Sequence, residues 1–170
     1  AGARHVQGTI NGIGERSGNA NLLTIAATLA LKPAYADYTI SMDDAAVSRL
    51  TDVSRKFEAL LNRAPDDQQP YVGSSAFATK AGIHASALLK EPETYEHISP
   101  DLVGNTRRVM VSDQAGKSNF INQLKSHDIE VAKNNPKLDT LIALVKEREA
   151  NGYAYETADA SLELLARRTL

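Results

Sequence analysis

Residues 71–104 read YVGSSAFATKAGIHASALLKEPETYEHISPDLVG, and the rest of the chain is organised around this stretch. It opens with small residues, Gly73 and Gly82 among them, and it carries a histidine at His84 and a tyrosine at Tyr95. Small residues let backbone or ligand approach closely where a chain must bend. This composition is typical of a binding or catalytic site rather than of a hydrophobic core.

The segments before this stretch predict a strand and two helices. HVQGTI at residues 5–10 has the alternation of a short strand, and the Leu- and Ala-rich residues 19–32 have helical spacing. Ser41, with an acidic residue three positions on, predicts the start of a longer helix that runs to about Arg63. The apolar residues expected on one face of that helix are Val47, Leu50, Val53, Phe57, Leu60 and Leu61.

The segments after it are mainly helical as well. Residues 107–112 predict a short strand, and residues 114–125 predict a helix that starts after a turn at Gly116. The next amphipathic helix should end near Gly152, and Asp159 is expected to cap the last one. The residues expected to face inward are Leu138, Leu141, Ile142, Val145, Leu162 and Leu165. The predicted fold class is mainly α with minor β.

The charge, cysteine content and apolar runs of the sequence limit the kinds of molecule it is expected to bind. The 170 residues carry a formal net charge of -2, which gives no strong attraction to nucleic acid or to an anionic membrane. There is no cysteine, which excludes disulfides and fits a cytosolic protein. The longest apolar run, residues 22–31, is too short to span a bilayer. The chain opens on Ala1 without methionine, so we expect it to be part of a longer protein.

The glycine-rich residues 8–22 leave two alternatives open. A dinucleotide-binding pattern fails because Ser17 occupies the position of its third glycine. The segment is then either a tight turn from strand to helix with Asn19 as the N-cap, or a helix N-terminus that lines a polar pocket. In the second case Glu15 and Arg16 face the pocket and Asn19 offers an oxygen to a hard metal ion.

Histidine supplies the candidate for proton transfer. No HxH or HExxH spacing occurs, and His5, His97 and His127 lie in surroundings that look exposed or at a strand edge. Glycine and alanine flank His84 and leave its imidazole accessible, and an ordinary histidine pKa near 6.5 suits proton transfer at neutral pH. Tyr95 either bonds a substrate oxygen or packs its ring under Pro92.

Two long segments resemble the α-isopropylmalate, homocitrate and citramalate synthase family. They are GARHVQGTINGIGERSGNANL at residues 2–22 and the run from QPYVGSSAF to VSDQAGKSN at residues 69–119, and ANGYAYETADASLELLARR at residues 150–168 is similar less sharply. TINGIGER and PYVGSSAF look most like the citramalate synthase branch. Members are metal-dependent TIM-barrel acyltransferases that perform Claisen condensations of acetyl-CoA with an α-keto acid, which in that branch is pyruvate, at the head of an isoleucine route.

The resemblance implies a domain layout. Residues 1–66 would be the end of the catalytic domain, with the last strand and helix of a (β/α)8 barrel. Residues 67–106 would form a first linker subdomain that holds the active-site histidine, and residues 107–170 a second, helical one. In this family the linker reaches into the active site of the partner subunit of a homodimer.

The resemblance also implies roles for single residues. His84 and Tyr95 align with the linker histidine and tyrosine implicated in proton transfer and in positioning acetyl-CoA or its enolate. Asn19 aligns with the asparagine of the GERxGN motif near the divalent metal, which would be Mg, Mn or Zn, and Glu15 and Arg16 of that motif are the candidate substrate-binding residues. The family's other metal ligands, an Asp-Arg-Glu-like segment and an HxH, are not in this sequence.

The sequence departs from the family pattern at a few positions and leaves alternatives open. Thr79, Ala81 and Ser17 stand where other members commonly have His, Gly, and Cys or Ala. Isopropylmalate or homocitrate synthase is the alternative within the family, and a non-catalytic linker and dimerisation module is the alternative of another class. We expect the chain by itself to bind metal weakly and to release no CoA, with no nucleic-acid or membrane partner.

Overall fold

The computed structural model describes residues 2–79, 84, 87–88, 90–110, 116–155 and 158–170. The chain forms two compact units: the first comprises Ala1–Phe77 and Glu96–Arg107, and the second comprises Ala78–Tyr95 and Arg108–Leu170. Helices dominate both units, and the described strands are two short ones, so the predicted class of mainly α with minor β is confirmed. No helix among the described residues has the length and apolar character that crossing a membrane would require.

The first unit contains three helices and several 3₁₀ turns. Helix α1 spans Leu22–Leu31, α2 spans Asp44–Val47 and α3 spans Leu50–Leu60. The 3₁₀ turns span Ile10–Gly12, Pro33–Tyr35 and Pro100–Val103. The core consists of buried apolar side chains from the helices and from the loops that follow them, namely Leu23, Ala27, Val47, Leu50, Tyr71, Val72, Phe77 and Val103.

The start of α1 differs from the prediction. Asn21, and not Asn19, is the N-cap, and its Oδ1 accepts from the backbone N–H groups of Leu23 and Thr24 at 3.1 and 3.4 Å. The backbone just before the helix is bound to Thr9, which donates its N–H to the Ala20 carbonyl and accepts from Leu22 N–H, both at 3.0 Å. The helix therefore begins only after this bridge. The strand predicted at residues 5–10 is not formed, because Thr9 makes only an isolated parallel bridge with Asn21.

The single long helix predicted from Ser41 to about Arg63 is also wrong. Asp43 caps α2 by accepting a hydrogen bond from the Ala46 N–H at 2.8 Å. The helical backbone is interrupted between α2 and α3. Of the predicted apolar face, Val47 and Leu50 are buried, whereas Leu60 is 83% exposed and Leu61 is 42% exposed. The buried face of α3 consists of Leu50, Thr51, Ser54 and Glu58.

Polar side chains can occupy that face because each is hydrogen-bonded. Thr51 Oγ1 donates to the Val103 carbonyl at 2.7 Å, and Ser54 Oγ donates to Asn11 Oδ1 at 2.9 Å. Asn11 Nδ2 in turn donates to Glu58 Oε1 at 2.9 Å. Burial of a polar group is tolerated when it is hydrogen-bonded, as these three side chains are, although the second carboxylate oxygen of Glu58, Oε2, is buried without a hydrogen bond among the described residues.

The second unit matches the sequence predictions more closely. Helix α4 spans Lys117–Ser126 with Gly116 as its N-cap, α5 spans Pro136–Ala150, and α6 spans Asp159–Thr169. Gly152, at φ +90°, lies just after α5 and confirms the predicted stop. The core consists of Phe120, Leu124, Leu138, Leu141, Val145, Tyr155, Leu162, Leu165 and Ala166, and Ile142 packs against it partly buried.

The second unit also contains two short strands and the residue predicted to cap the last helix. Within the strand predicted at residues 107–112, Arg108–Val109 form β2, which pairs in parallel with β1, Ala78–Thr79. Residues 111 and 112 of that prediction lie outside the described residues. Asp159 is not the cap of α6, because Ala158 holds that position. The Asp159 carboxylate instead accepts from Arg108 Nη2 at 3.1 Å and from Gln123 Nε2 at 3.2 Å.

Candidate active site

His84 and Tyr95 are in contact within the second unit. Their ring centres lie 4.5 Å apart, and the ring planes are tilted by 34°. His84 is exposed, and 49% of Tyr95 is exposed. This distance and tilt lie in the range of favourable aromatic packing, so each ring restricts the orientation of the other. The small residues Ala81 and Gly82, which flank the histidine in the sequence, lie outside the described residues.

A 3₁₀ turn sets the direction of Tyr95. The turn spans Pro92–Thr94, and Tyr95 donates its backbone N–H to the Pro92 carbonyl at 3.1 Å. Proline fixes the backbone at the start of such a turn, and the Thr94 hydroxyl adds a bond to the Glu91 carbonyl at 2.5 Å. The turn therefore holds the backbone of Tyr95 while its ring lies against His84.

The residue after Tyr95 is held by an ion pair in the first unit. Arg107 Nε donates to Glu96 Oε1 at 2.6 Å, and Arg107 Nη2 donates to Glu96 Oε2 at 2.5 Å. The glutamate side chain is 7% exposed and the arginine side chain 35%. The hydrogen bond to Glu96 raises the pKa of Arg107. Two parallel bonds of this kind fix both position and orientation.

His97 packs between two aromatic rings of the first unit. Its ring stacks on Phe77, with centres 6.1 Å apart and planes at 14°, and meets Tyr71 edge-on at 5.6 Å. The residue is exposed, as predicted, although these rings cover part of the imidazole. Desolvation lowers the pKa of His97 from its ordinary 6.5, the charge of Lys32 lowers it further, and Glu96 acts in the opposite sense.

The YVGSSAF loop, residues 71–77, is held in place by hydrogen bonds from the side chain of Asn105. Asn105 is 3% exposed, and its Nδ2 donates to the carbonyls of Tyr71 and Gly73, each at 2.9 Å. A Cβ on Gly73 would come within 2.4 Å of the Asp67 carbonyl oxygen, so this position needs glycine. The backbone at Gly73 lies close to the backbone at Asp67, as the small residues of the loop had indicated. Nothing in the sequence indicated the role of Asn105.

The GERSGN loop, residues 14–19, places the remaining candidates in the first unit. Glu15 and Arg16 are exposed, and Arg16 has φ +57°. Asn19 donates its backbone N–H to the Gly12 carbonyl at 2.8 Å and its Nδ2 to the Ile13 carbonyl at 3.3 Å. Because Asn21 caps the helix, Asn19 is released from that role. Its Oδ1 is the atom that would be offered to a metal ion.

The described residues do not make a metal centre by themselves. No group of three or more His, Cys, Asp or Glu side chains converges among them. Asn19 contributes one neutral oxygen, whereas hard divalent ions take several oxygen ligands with carboxylates among them. We therefore assign no reaction step of this chain to a metal.

Asn11 is a further polar residue that sequence reasoning missed. It has φ +56°, and its Oδ1 accepts from Ser54 Oγ at 2.9 Å and from Gln69 Nε2 at 3.1 Å. The network it makes with α3 stabilises the turn that precedes the GERSGN loop. Asparagine tolerates the left-handed region better than most residues, and this is the only local signal that could have pointed to it.

Family models match both parts of the chain. A model described as HMGL-like matches residues 1–56, and one described as homocitrate synthase post-HMGL domain-like matches residues 71–152. The chain belongs to the family of isopropylmalate, homocitrate and citramalate synthases.

Individual relatives cover the chain almost completely. An (R)-citramalate synthase of Synechocystis sp. is 49% identical over 100% of this chain and 30% of its own length, and one of Aquifex aeolicus is 49% identical over 99% and 31%. A probable 2-isopropylmalate synthase of Methanopyrus kandleri is 40% identical over 86% of this chain and 28% of its own length. The chain thus spans about 30% of the length of the curated relatives it matches.

Proposed function

We propose that this chain is part of an acyltransferase that condenses acetyl-CoA with an α-keto acid, most specifically pyruvate, to give citramalate. The observation that carries the proposal is the 49% identity to an (R)-citramalate synthase over the whole chain. The exposed contact between His84 and Tyr95 supports it, since an accessible imidazole is what a proton-transfer step requires. In the full-length enzyme residues 1–66 would complete a (β/α)8 barrel, and residues 67–106 and 107–170 would form the two linker subdomains.

The reaction requires removal of a proton from the methyl carbon of acetyl-CoA and cleavage of its thioester. A base removes a proton from the methyl group of acetyl-CoA, and the new carbon nucleophile attacks the keto carbon. The keto oxygen takes up a proton to become a hydroxyl, and water then cleaves the thioester and releases CoA. His84 transfers a proton at a ring nitrogen. Tyr95 holds that ring by packing against it and offers its hydroxyl to a substrate oxygen.

Residues of the GERSGN loop take binding roles in this proposal. Arg16 is exposed, and its positive charge can pair with the carboxylate of a keto acid. Glu15, which is also exposed, accepts hydrogen bonds from the substrate. Asn19 would contribute one oxygen to a divalent ion, which would need its other ligands from outside this chain. When bound, such an ion would polarise the keto carbonyl.

A larger keto acid is the alternative substrate. The 40% identity to a probable 2-isopropylmalate synthase favours it over unrelated chemistry. We further propose a cytoplasmic homodimer as the working form of the enzyme, with no nucleic-acid or membrane partner.

The test is His84→Gln in the full-length enzyme, measured as CoA release with pyruvate and as particle mass in solution. We expect turnover to fall by about 10²- to 10⁴-fold while the dimer persists. Loss of the dimer together with activity would contradict the catalytic role and support a linker module instead.

A further inference from the structure

The side-chain amide of Asn11 uses every hydrogen bond that it can make. Its Nδ2 donates to Glu58 Oε1 at 2.9 Å and to the Ser54 carbonyl at 3.3 Å. Its Oδ1 accepts from Ser54 Oγ at 2.9 Å and from Gln69 Nε2 at 3.1 Å. A carboxamide has two donors and two acceptor lone pairs, so this one is saturated. The orientation of the Asn11 side chain is therefore fixed by its partners.

Those partners belong to the buried part of the first unit. Ser54 and Glu58 lie one turn apart on α3 and are each 5% exposed, and Gln69 is 6% exposed. Arg63 Nε lies 3.8 Å from Glu58 Oε2 and supplies the opposite charge that a buried carboxylate needs. The side chain of Asn11 is thus tied to the buried face of a helix.

The peptide units that follow Asn11 in turn hold Asn19. The Gly12 carbonyl accepts the Asn19 backbone N–H at 2.8 Å, and the Ile13 carbonyl accepts from Asn19 Nδ2 at 3.3 Å. A Cβ on Gly14 would collide with Asn19 Nδ2, so this side-chain amide rests directly against the backbone. Because Nδ2 is bound to the loop, the direction of Asn19 Oδ1 is set by the conformation of the same three residues.

That conformation begins with two residues in the left-handed region. Asn11 has φ +56°, and Gly12 follows at φ +68°. The region is unfavourable for residues other than glycine, although asparagine tolerates it better than most. The saturated side chain of Asn11 offsets this cost and selects one course for the backbone that leads to Asn19.

We propose that Asn11 is a positioning residue for Asn19 and that it acts from α3 through the backbone of residues 12–14. Its hydrogen bonds to Ser54, Glu58 and Gln69 set the turn, and the turn sets the direction of Asn19 Oδ1. The use of that oxygen by a divalent ion rests on the proposed function, whereas its placement by Asn11 does not.

The first test needs neither metal nor activity. Asn11→Gly in the full-length enzyme leaves the backbone free to adopt a positive φ and removes only the side-chain bonds. We expect the backbone amide of Asn19 to exchange its hydrogen about tenfold faster or more, measured by mass spectrometry of overlapping peptides. Unchanged exchange would overturn the proposal.

The matched control for general loss of stability is Thr51→Val. It keeps the side-chain shape on the same buried face of α3 and removes the hydrogen bond of 2.7 Å to the Val103 carbonyl. Because Thr51 does not bond to Asn11, this variant should leave the exchange of the Asn19 amide unchanged. Equal acceleration in Thr51→Val and Asn11→Gly would mean that any loss of stability opens the loop, which also overturns the proposal.

A second test exchanges donor and acceptor. Asn11→Asp places a carboxylate against Glu58 and should open the loop further than Asn11→Gly does. Adding Glu58→Gln keeps the net charge of the wild type and lets the new amide donate to the new carboxylate. We expect this double variant to recover most of the protection, short of the bond to the Ser54 carbonyl, which an aspartate cannot make. A double variant no better protected than Asn11→Asp would contradict positioning through this bond.

A third test separates the proposal from the proposed function. Titration of the full-length enzyme with Mn²⁺ in a calorimeter compares Asn19→Ala, Asn11→Gly and Thr51→Val. Loss of a residue that orients a metal ligand typically weakens binding by roughly 10- to 100-fold, so we expect about tenfold or more for Asn11→Gly and less than about twofold for Thr51→Val. Weaker binding in Asn19→Ala with unchanged binding in Asn11→Gly overturns the proposal. Unchanged binding in Asn19→Ala removes Asn19 from the proposed metal role, and hydrogen exchange still decides its placement by Asn11.

Discussion

The imidazole of His84 packs against the phenol of Tyr95 with a centre-to-centre distance of 4.5 Å, so two residues eleven positions apart in the sequence form one exposed aromatic pair. A ring packed against the histidine can orient it without any hydroxyl, and a hydroxyl can bind substrate without that ring contact. The two contributions of Tyr95 are therefore separable by substitution.

Tyr95→Phe and Tyr95→Leu separate them. Tyr95→Phe keeps the ring contact and removes the hydroxyl, and we expect a loss of about 10-fold in kcat. Tyr95→Leu removes both and should approach the loss of His84→Gln. Steady-state CoA release by the full-length enzyme measures this, and equal rates for wild type and Tyr95→Leu would contradict the role of the pair.

We predict that Asn21 contributes to the stability of α1, whereas Asn19 contributes to metal binding. Asn21→Ala removes the cap of α1, which accepts two backbone N–H groups, and should lower the free energy of unfolding by about 1 kcal/mol. Asn19→Ala should change it by less than about 0.5 kcal/mol but weaken divalent-metal binding by the full-length enzyme. Urea unfolding and titration calorimetry make the comparison. The reverse pattern would remove Asn19 from the metal site.

Gly104→Ala should destabilise the chain far more than Gly152→Ala. Both glycines have positive φ, +68° and +90°, so each alanine incurs the left-handed cost of about 1 kcal/mol. Only at Gly104 does the new Cβ meet a backbone oxygen, at 2.2 Å from Ser48, whereas at Gly152 nothing lies within 4 Å. We expect about 3 kcal/mol or more for Gly104→Ala in urea unfolding. Equal effects would show that the loop does not rest on α2.

His97 should make the first unit less stable as the pH falls below about 6.5. Its pKa is lowered in the folded chain, so between that value and 6.5 the unfolded chain binds more protons, and the free energy of unfolding rises with pH across this window. His97→Phe keeps the packing on Phe77 and removes the titration. Urea midpoints at pH 5 and pH 7.5 should differ more for wild type than for the variant, and an identical difference would contradict the assignment.

The helices of the second unit could be predicted because apolar spacing alone determines them. Leu138, Leu141 and Val145 repeat at helical intervals, and all three are fully buried. Gly116 and Gly152 mark helix boundaries, and Gly152 has a positive φ of +90°, which glycine adopts readily. Local sequence and tertiary packing agree here, which is what makes prediction from sequence possible.

The first unit was predicted less well because its polar residues find partners far along the chain. Ser54 and Glu58 look like the solvent side of an amphipathic helix, yet both bond to Asn11, more than forty positions away. No periodicity in α3 reveals that partner. The N-cap of α1 was missed for the same reason, since the bridge between Thr9 and Asn21 decides where the helix begins.

The candidate site was partly visible in the sequence. His84 and Tyr95 could be named from residue type and neighbours, but the contact between their rings could not, because it depends on the turn at Pro92–Thr94. Asn105, which binds the YVGSSAF loop of the first unit, carries no motif of its own. It matters only through its contacts, and only the folded chain shows those.

The most direct test of the account is CoA release by the full-length enzyme with pyruvate, 2-ketoisovalerate and 2-oxoglutarate measured side by side. The account predicts a clear preference for pyruvate, with activity lost in His84→Gln. A preference for one of the larger keto acids would contradict the assignment to citramalate formation, and no release with any of the three would contradict the acyltransferase proposal itself.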